Sequence, residues 1–141
     1  MIVADTSIIV KALTAEAGSH EALSVLEQAD TVAAPMLVYA EVANVLRKKV
    51  RGRIISPAQF HESAKHLESA IDRIVPDIEL LRDVVQLSET LDHSAYDCFY
   101  LAAALKTGSI LVSADEVFLR KCADAGFAGA AMLPIVCLAR N

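Results

Sequence analysis

The chain has 141 residues, of which 55% are hydrophobic, and this predicts one compact domain with a substantial core over residues 1–141. Its net charge of −5 argues against a protein that coats nucleic acid generally, because such proteins are usually basic. Three cysteines without CxxC spacing argue against a zinc or disulfide framework and predict buried thiols in a reducing compartment. With no signal peptide or membrane-spanning run evident, we expect a cytoplasmic protein without a membrane partner.

Short apolar or β-branched runs alternate with amphipathic stretches along the chain. The runs predict strands at Ile2–Ala4, Val32–Ala34, Arg73–Val75, Ser109–Val112 and Ala130–Leu133. Helix boundaries are also recognisable, with a capped start at Ser56-Pro57-Ala58-Gln59 and ends at Gly52, Gly108 and Gly126. Because strands separated by helices pair in parallel through right-handed crossovers, we predict an α/β fold, a three-layer helix–sheet–helix sandwich with a mainly parallel central sheet.

Two aspartates follow predicted strands that belong to this sheet. Asp5 comes directly after the first strand, and Asp115 follows the strand that ends at Val112 and opens a helix. Either aspartate alone is explained as the N-cap of the following helix. In open parallel sheets, however, ligands sit at the carboxyl ends of the strands. Two acids at two such ends therefore indicate a binding site at that edge.

Glu41 lies within an otherwise apolar helical stretch, residues 38–46. It falls three residues after Val38 and four before Val45, within the apolar stripe that these residues form with Val42. A buried carboxylate without a partner costs roughly several kcal/mol or takes up a proton. Glu41 is therefore predicted to have a cation or hydrogen-bond donors beside it, rather than to be a solvated surface acid.

Asp97 lies in the first turn of a predicted helix that begins near Ser94 and is apolar on nearly all sides. Ser94 with Asp97 resembles a capping box with a shorter acid, which is the purely structural explanation. Because the remainder of the helix is expected to be packed, its first turn is the one place where a carboxylate can face a cleft. Asp97 is thus a fourth candidate for the site.

Together these acids predict one crowded anionic pocket. Several carboxylates within a few ångströms of one another cannot all ionise near neutral pH without a compensating cation. Hard oxygen ligands without paired His or Cys favour Mg²⁺ or Mn²⁺, and such an ion supports hydrolysis of a phosphodiester. Ser7 and Ser113 are close to the same edge, where they are predicted to orient a carboxylate or a water of the ion.

These motifs resemble those of the PIN-domain family, in particular the VapC-type toxin ribonucleases of bacterial toxin–antitoxin pairs. The matching segments are Val3–Ser7, Glu41, Ser94–Asp97 and Leu111–Asp115, in this order over essentially the whole chain. The resemblance implies an Mg²⁺- or Mn²⁺-dependent endoribonuclease whose metal-binding and catalytic acids are Asp5, Glu41, Asp97 and Asp115. Ser7 and Ser113 would support them, although the family more often has threonine where Ser113 stands.

The resemblance also implies partners. These are an RNA substrate, a small antitoxin protein that blocks the acidic cleft, and a second copy of the chain in a homodimer. A homodimer would bury the surplus apolar surface that the composition suggests, although a well-filled core explains the composition equally well.

A basic run, residues 47–53, carries five positive charges in seven residues at the end of the Glu41 helix. These charges either complement the helix dipole or form a ridge that grips RNA phosphates, with Arg47, Lys48, Arg51 and Arg53 as the candidates. The four histidines are scattered, and surface or loop placement is expected for all of them, including His93. We assign no catalytic base among them.

Three other functions compete with the nuclease. Haloacid-dehalogenase-like phosphatases need a second aspartate two residues after the first, where this chain has Ser7. Receiver-like phospho-switches need paired acids after the first strand and a lysine at the end of a late strand, and neither is evident. A non-catalytic RNA- or protein-binding module on the same fold stays open, because only activity separates it from the nuclease.

Overall fold

The computed structural model describes residues 1–139, apart from the side chains at 135 and 136. Within that range the strands are β1 (Ile2–Ala4), β2 (Val32–Pro35), β3 (Arg73–Val75), β4 (Ile110–Val112) and β5 (Ala131–Met132). The helices are α1 (Thr6–Leu13), α2 (Ser19–Gln28), α3 (Val38–Arg51), α4 (Pro57–Ala70), α5 (Asp77–Leu91), α6 (Ala95–Thr107), α7 (Glu116–Asp124) and α8 (Pro134–Leu138).

The five strands form one parallel sheet in the order β3-β2-β1-β4-β5. This confirms the predicted α/β class and its parallel central sheet. Two strands have the predicted bounds, whereas β2 gains Pro35, which pairs with Val75, and β4 and β5 are shorter than expected. Because the chain runs outward on one side from β1 to β3 and then crosses to β4 on the other side, the switch point of the sheet lies between β1 and β4.

Helices cover the sheet and supply most of the core. Helix α6 contacts β1, β2 and β4 and pairs with α5, while α1 contacts β1 and packs against α2, α3 and α4. The sheet centre is apolar, and Val3, Ala4, Leu111 and Val112 are completely buried. Burial on both faces is the reason that these short strands read as continuous apolar runs rather than as an alternating pattern.

Local end signals act as the sequence predicts. Ser56 Oγ accepts a hydrogen bond from the Gln59 amide at 3.1 Å, and Gln59 Oε1 accepts one from the Ser56 amide at 2.7 Å, which completes a capping box at the start of α4. Gly108 ends α6 at a positive φ of 63°, a conformation that glycine adopts without steric cost.

The cysteines are buried, as predicted. Burial raises the pKa of Cys98 to about 11 and that of Cys122 to about 12, so both side chains are neutral thiols. Across residues 1–139, no helix is both long and apolar enough to cross a membrane.

Candidate active site

The four predicted acids line one cleft of about 380 Å³ at the carboxyl edge of the sheet. They reach it from separate elements: Asp5 from the end of β1, Glu41 from α3, Asp97 from the first turn of α6, and Asp115 from the loop after β4. We call this concavity the acidic cleft. It opens beside the switch point between β1 and β4, which is where open parallel sheets place their ligands.

Asp5 is both a helix cap and a buried acid of the cleft. Its Oδ1 accepts hydrogen bonds from the Ile8 amide at 3.1 Å and from Ser7 Oγ at 2.5 Å, and the residue is only 7% exposed. Burial raises the pKa of Asp5 to about 6, and hydrogen bonds from Ser113, Ser7 and the Ile8 amide only partly oppose this. The capping role and the site position are therefore compatible.

The two serines join the loops after β1 and β4. Ser7 Oγ donates to Asp5 and accepts a hydrogen bond from the Ala114 amide at 2.9 Å. Ser113 is completely buried, where its hydroxyl bonds Asp5 and accepts a hydrogen bond from the Asp115 amide at 3.0 Å. Both hydroxyls thus contact the carboxylate of Asp5, which is one of the two arrangements expected from the sequence.

Glu41 is held by two hydroxyl groups that the sequence pattern did not reveal. Its Oε1 accepts hydrogen bonds from Tyr100 at 2.8 Å and from Thr6 at 3.3 Å, and these two hydroxyls lie 2.7 Å apart. Burial raises the pKa of Glu41, and the two hydrogen bonds counteract part of that rise. Tyr100 could have been found, because it lies three residues after Asp97 and therefore on the same side of α6.

The capping box suggested for Ser94 and Asp97 is wrong. Ser94 does precede α6, but its side chain accepts no capping hydrogen bond. Asp97 Oδ2 lies 2.6 Å from His93 Nε2 instead, and the His93 ring stacks on Phe118 with ring centroids 4.7 Å apart. The hydrogen-bond partner of this carboxylate is therefore the imidazole.

His93 therefore has a position that the sequence did not reveal. It lies in the loop between α5 and α6, as expected, but its side chain is only 14% exposed. Candidate ligand atoms of His93, Asp97 and Asp115 all lie within 4.8 Å of one another, a spacing that could hold a metal ion. The spacing of His93 four residues before Asp97, across a helix start, was the available signal.

The donor set fits a divalent cation. Carboxylate and hydroxyl oxygens dominate it, which suits Mg²⁺ and Mn²⁺, and an imidazole nitrogen stands at one end. The charge of Asp97 contributes to raising the pKa of both Asp5 and Glu41, so the acids interact electrostatically across the cleft. A bound cation would relieve this repulsion.

The basic run lies at the end of α3 with most of its charges exposed. Arg47, Lys48, Arg51 and Arg53 are exposed, and none of them lines the acidic cleft. Lys49 lies between them in sequence but does line the cleft, together with Lys11 of α1. The phosphate-gripping ridge stays a prediction. Within the basic run, the residue that lines the cleft is Lys49, which was not among the four candidates for the ridge.

Comparisons with known proteins agree with this architecture. The chain is similar in fold to PAE2754 from Pyrobaculum aerophilum, with a TM-score of 0.75, 22% identity, and coverage of 99% of this chain and 87% of that chain. VapC20 of Mycobacterium tuberculosis, described as a sarcin–ricin loop cleaving toxin, gives a TM-score of 0.64 and 19% identity, covering 90% and 96%. A toxin–antitoxin complex from Klebsiella pneumoniae gives 0.66 and 16%, covering 95% and 98%.

No curated protein matches the chain at a significant level. The sequence model of the PIN domain, in contrast, matches residues 2–124, a span that contains all four acids of the cleft. The chain belongs to the PIN-domain family, as the order and spacing of its acidic motifs predicted.

Proposed function

We propose that the chain is a divalent-metal-dependent endoribonuclease, the toxin of a type II toxin–antitoxin pair that inhibits translation by cutting RNA in the cytoplasm. The observation that carries the proposal is the acidic cleft, in which four carboxylates from four separate elements meet at the ligand-binding edge of the sheet. Membership of the PIN-domain family and the likeness in fold to the toxins above support it.

Asp5, Glu41, Asp97 and Asp115 would hold the ion, which is Mg²⁺ or Mn²⁺ in this proposal. When bound, such an ion supplies positive charge that activates water and stabilises the leaving oxygen of a phosphodiester. Separate elements position each of these carboxylates, so an ion can bind tightly only when the sheet edge is assembled. Metal binding would therefore be coupled to the native fold.

Neighbouring hydrogen-bond donors keep the carboxylates of Asp5 and Glu41 ready to bind a cation. Ser7, Ser113 and the Ile8 amide donate to Asp5, and each of these hydrogen bonds favours the ionised form that a cation needs. Tyr100 and Thr6 do the same for Glu41. Burial raises the pKa of the Tyr100 phenol, so this hydroxyl keeps its proton and acts as a donor throughout.

The partners are part of the proposal. We expect a small antitoxin protein that occupies the acidic cleft, as the toxin–antitoxin complex similar in fold suggests. We also expect a homodimer, since Ile78, Leu81 and Val85 are exposed at helical spacing on α5. The exposed cations Arg47, Lys48, Arg51 and Arg53 would contribute sequence-independent, salt-dependent affinity for RNA.

The test is an RNA-cleavage assay with Mg²⁺, with Mn²⁺ and with excess chelator, run beside Asp5→Asn and Asp97→Asn. We expect metal-dependent cleavage that each substitution lowers by about 1000-fold or more, because about 4 kcal/mol of transition-state stabilisation corresponds to that factor. Circular dichroism should show that both variants are folded, since the asparagine side chain in Asp5→Asn keeps an oxygen that can cap α1.

Two outcomes would contradict the proposal in different ways. Cleavage by the wild-type protein in excess chelator would remove the metal mechanism. Metal binding and RNA binding without cleavage of any tested RNA, including ribosomal RNA and tRNA, would favour the alternative of a non-catalytic RNA-binding module on this fold.

A further inference from the structure

A second group of charged side chains lines the acidic cleft beside the four acids. It consists of Lys11 on α1, Glu16 in the loop before α2, and Lys49 on α3. We call these three residues the basic rim. None of them has a part in the metal chemistry proposed above, so their presence in the same cleft needs a separate explanation.

One carboxylate holds two ammonium groups in the basic rim. Lys49 Nζ lies 2.6 Å from Glu16 Oε2 and Lys11 Nζ lies 3.5 Å from Glu16 Oε1. Thr14 Oγ1 also donates to Glu16, and Lys11 donates to the Ala17 carbonyl at 2.8 Å. Two cations against one anion leave the rim with one positive charge in surplus.

Glu16 is ionised in this arrangement. Burial raises its pKa, but the hydrogen bonds from Lys49 and Thr14, together with the charges of both lysines, outweigh burial and lower the pKa below its ordinary value. All three side chains are partly buried rather than extended into solvent. The lysines are therefore held at the edge of the cleft instead of moving freely, which reduces the conformational entropy that a ligand would have to remove.

Helix geometry directs Lys49 toward the acids. Glu41, Val45 and Lys49 succeed one another at intervals of four residues on α3, and all three line the cleft. Eight residues correspond to about 12 Å along a helix. Because long helical side chains lean toward the helix N-terminus, the Lys49 side chain leans back toward Glu41. Lys48, one residue earlier, is exposed and does not line the cleft.

An acidic floor repels the backbone of a nucleic acid. Even with one dication bound, four ionised carboxylates would leave a surplus of negative charge, which a phosphodiester approaching the metal would meet. A positive group at the edge of the same cleft counteracts that repulsion. It can do so without neutralising the metal ligands, because both lysines form their ion pairs with Glu16.

We propose that Lys49 and Lys11 form a subsite for a backbone phosphate of the RNA strand, next to the phosphate that is cut, and that Glu16 positions the two ammonium groups for it. This subsite rests on the proposed ribonuclease function and adds to it the place where the neighbouring part of the substrate binds.

The test compares Lys49→Gln with Lys65→Gln, which removes one charge from an exposed lysine of α4 that also pairs with a glutamate, Glu62, but lies outside the cleft. Single-turnover cleavage of a labelled single-stranded RNA is measured against protein concentration, in Mg²⁺ and at several salt concentrations. This separates the half-saturating concentration from the maximal rate. Melting temperature is recorded for each variant, since loss of the Glu16 contact alone would lower stability without changing how salt affects RNA binding.

For Lys49→Gln we expect the half-saturating concentration to rise about tenfold and the maximal rate to change by less than about threefold. The slope of log affinity against log salt should become shallower by about 0.7, the value for one phosphate contact on a single strand. Lys11→Gln should give a smaller change in the same direction, because its contact with Glu16 is longer. Lys65→Gln should leave the half-saturating concentration within about twofold of wild type.

Equal half-saturating concentrations and equal salt slopes for Lys49→Gln and Lys65→Gln would overturn the subsite while leaving the ribonuclease intact. The same conclusion would follow if both variants were weakened equally, since loss of a positive charge anywhere on the surface would then have the same effect. A wild-type protein that cleaves no RNA would instead remove the proposed function, and the subsite with it.

Discussion

The two halves of the acidic cleft stabilise their carboxylates in different ways. In the inner half, Asp5 and Glu41 are held by hydroxyl groups of Ser7, Ser113, Thr6 and Tyr100, and burial raises the pKa of both acids. In the outer half, Asp97 and Asp115 are both partly exposed, and Asp97 pairs with the imidazole of His93. The inner acids thus depend on the protein for the solvation that the outer acids still obtain partly from water.

This difference indicates which of the acids destabilise the native state when no metal is bound. A buried carboxylate that is ionised without a cation destabilises the native state, even when hydrogen bonds offset part of the loss of hydration. Asp5 and Glu41 should therefore contribute most to both the instability of the metal-free protein and the stability gained on metal binding. Asp97 and Asp115 should contribute less to either.

The largest expected effect on stability is that Asp5→Asn stabilises the metal-free protein at pH 7. The folded pKa of about 6 lies above the ordinary value of 3.8, so the folded state binds this proton more tightly than the unfolded chain does. The free energy of unfolding therefore falls as pH rises from about 4 to about 6, and the loss is complete at pH 7. Removing the charge should restore up to about 2–3 kcal/mol, measured by urea unfolding in chelator.

Asp115→Asn is the matched control, because Asp115 also caps a helix, accepting a hydrogen bond from the Phe118 amide at 3.0 Å. It is only partly buried, so its substitution should change the free energy of unfolding by less than about 0.5 kcal/mol. In Mg²⁺, wild type should become more stable than Asp5→Asn, since wild type gains stability from the ion and Asp5→Asn gains less. Equal unfolding free energies for the two variants in chelator would show that ionised Asp5 does not destabilise the metal-free protein more than ionised Asp115 does.

The sequence was sufficient to predict the fold and the identity of the acids that share the cleft. Strand runs such as Ile2–Ala4 and end signals such as Ser56 and Gly108 are local, so they can be read without knowing the rest of the structure. The parallel order then brought the ends of β1 and β4 to one edge, which placed Asp5 and Asp115 near each other. The role of these acids in metal binding and catalysis stays a proposal.

The side chains that surround the acids could not be predicted in the same way. Tyr100 meets Glu41 across 59 positions of the sequence and Lys49 meets Glu16 across 33, so no local pattern connects either pair. The sequence also provided no reason to separate Lys49 from the neighbouring cations of the basic run. Lys49 differs from them because its side chain lines the cleft. The suggested Ser94–Asp97 capping box is wrong for both residues, since the Ser94 side chain accepts no capping hydrogen bond and the Asp97 carboxylate pairs with His93.

A smaller effect is expected when the inner half loses one donor. Tyr100→Phe removes the hydrogen bond to Glu41 at 2.8 Å and should raise the pKa of that acid further, because this bond favours its ionised form. Affinity for Mn²⁺ should fall by about tenfold or more, with a larger loss at pH 6 than at pH 8. Tyr96→Phe on the same helix is the control, since Tyr96 is exposed. Calorimetric titration with Mn²⁺ measures both, and an unchanged affinity would show that Thr6 alone suffices to hold Glu41.

The smallest effect should come from the outer half, where water can replace a lost donor. His93→Phe keeps an aromatic ring to stack on Phe118 but removes the contact of 2.6 Å with Asp97. We expect affinity for Mg²⁺ and for Mn²⁺ to fall by about the same factor, threefold to tenfold, because the role of the imidazole is to orient Asp97. His66→Phe is the control, since His66 pairs with Glu62 over the same spacing on an exposed face of α4.

The ratio between the loss of Mg²⁺ affinity and the loss of Mn²⁺ affinity in His93→Phe identifies the role of His93. A residue that only orients a carboxylate affects both ions alike, whereas an imidazole that is itself a ligand favours the transition metal over magnesium. A loss confined to Mn²⁺ would mean that His93, Asp97 and Asp115, whose ligand atoms lie within 4.8 Å of one another, bind the ion directly. The outer half would then resemble the inner half in depending on the protein for its ligand sphere, and the contrast between them would be limited to burial.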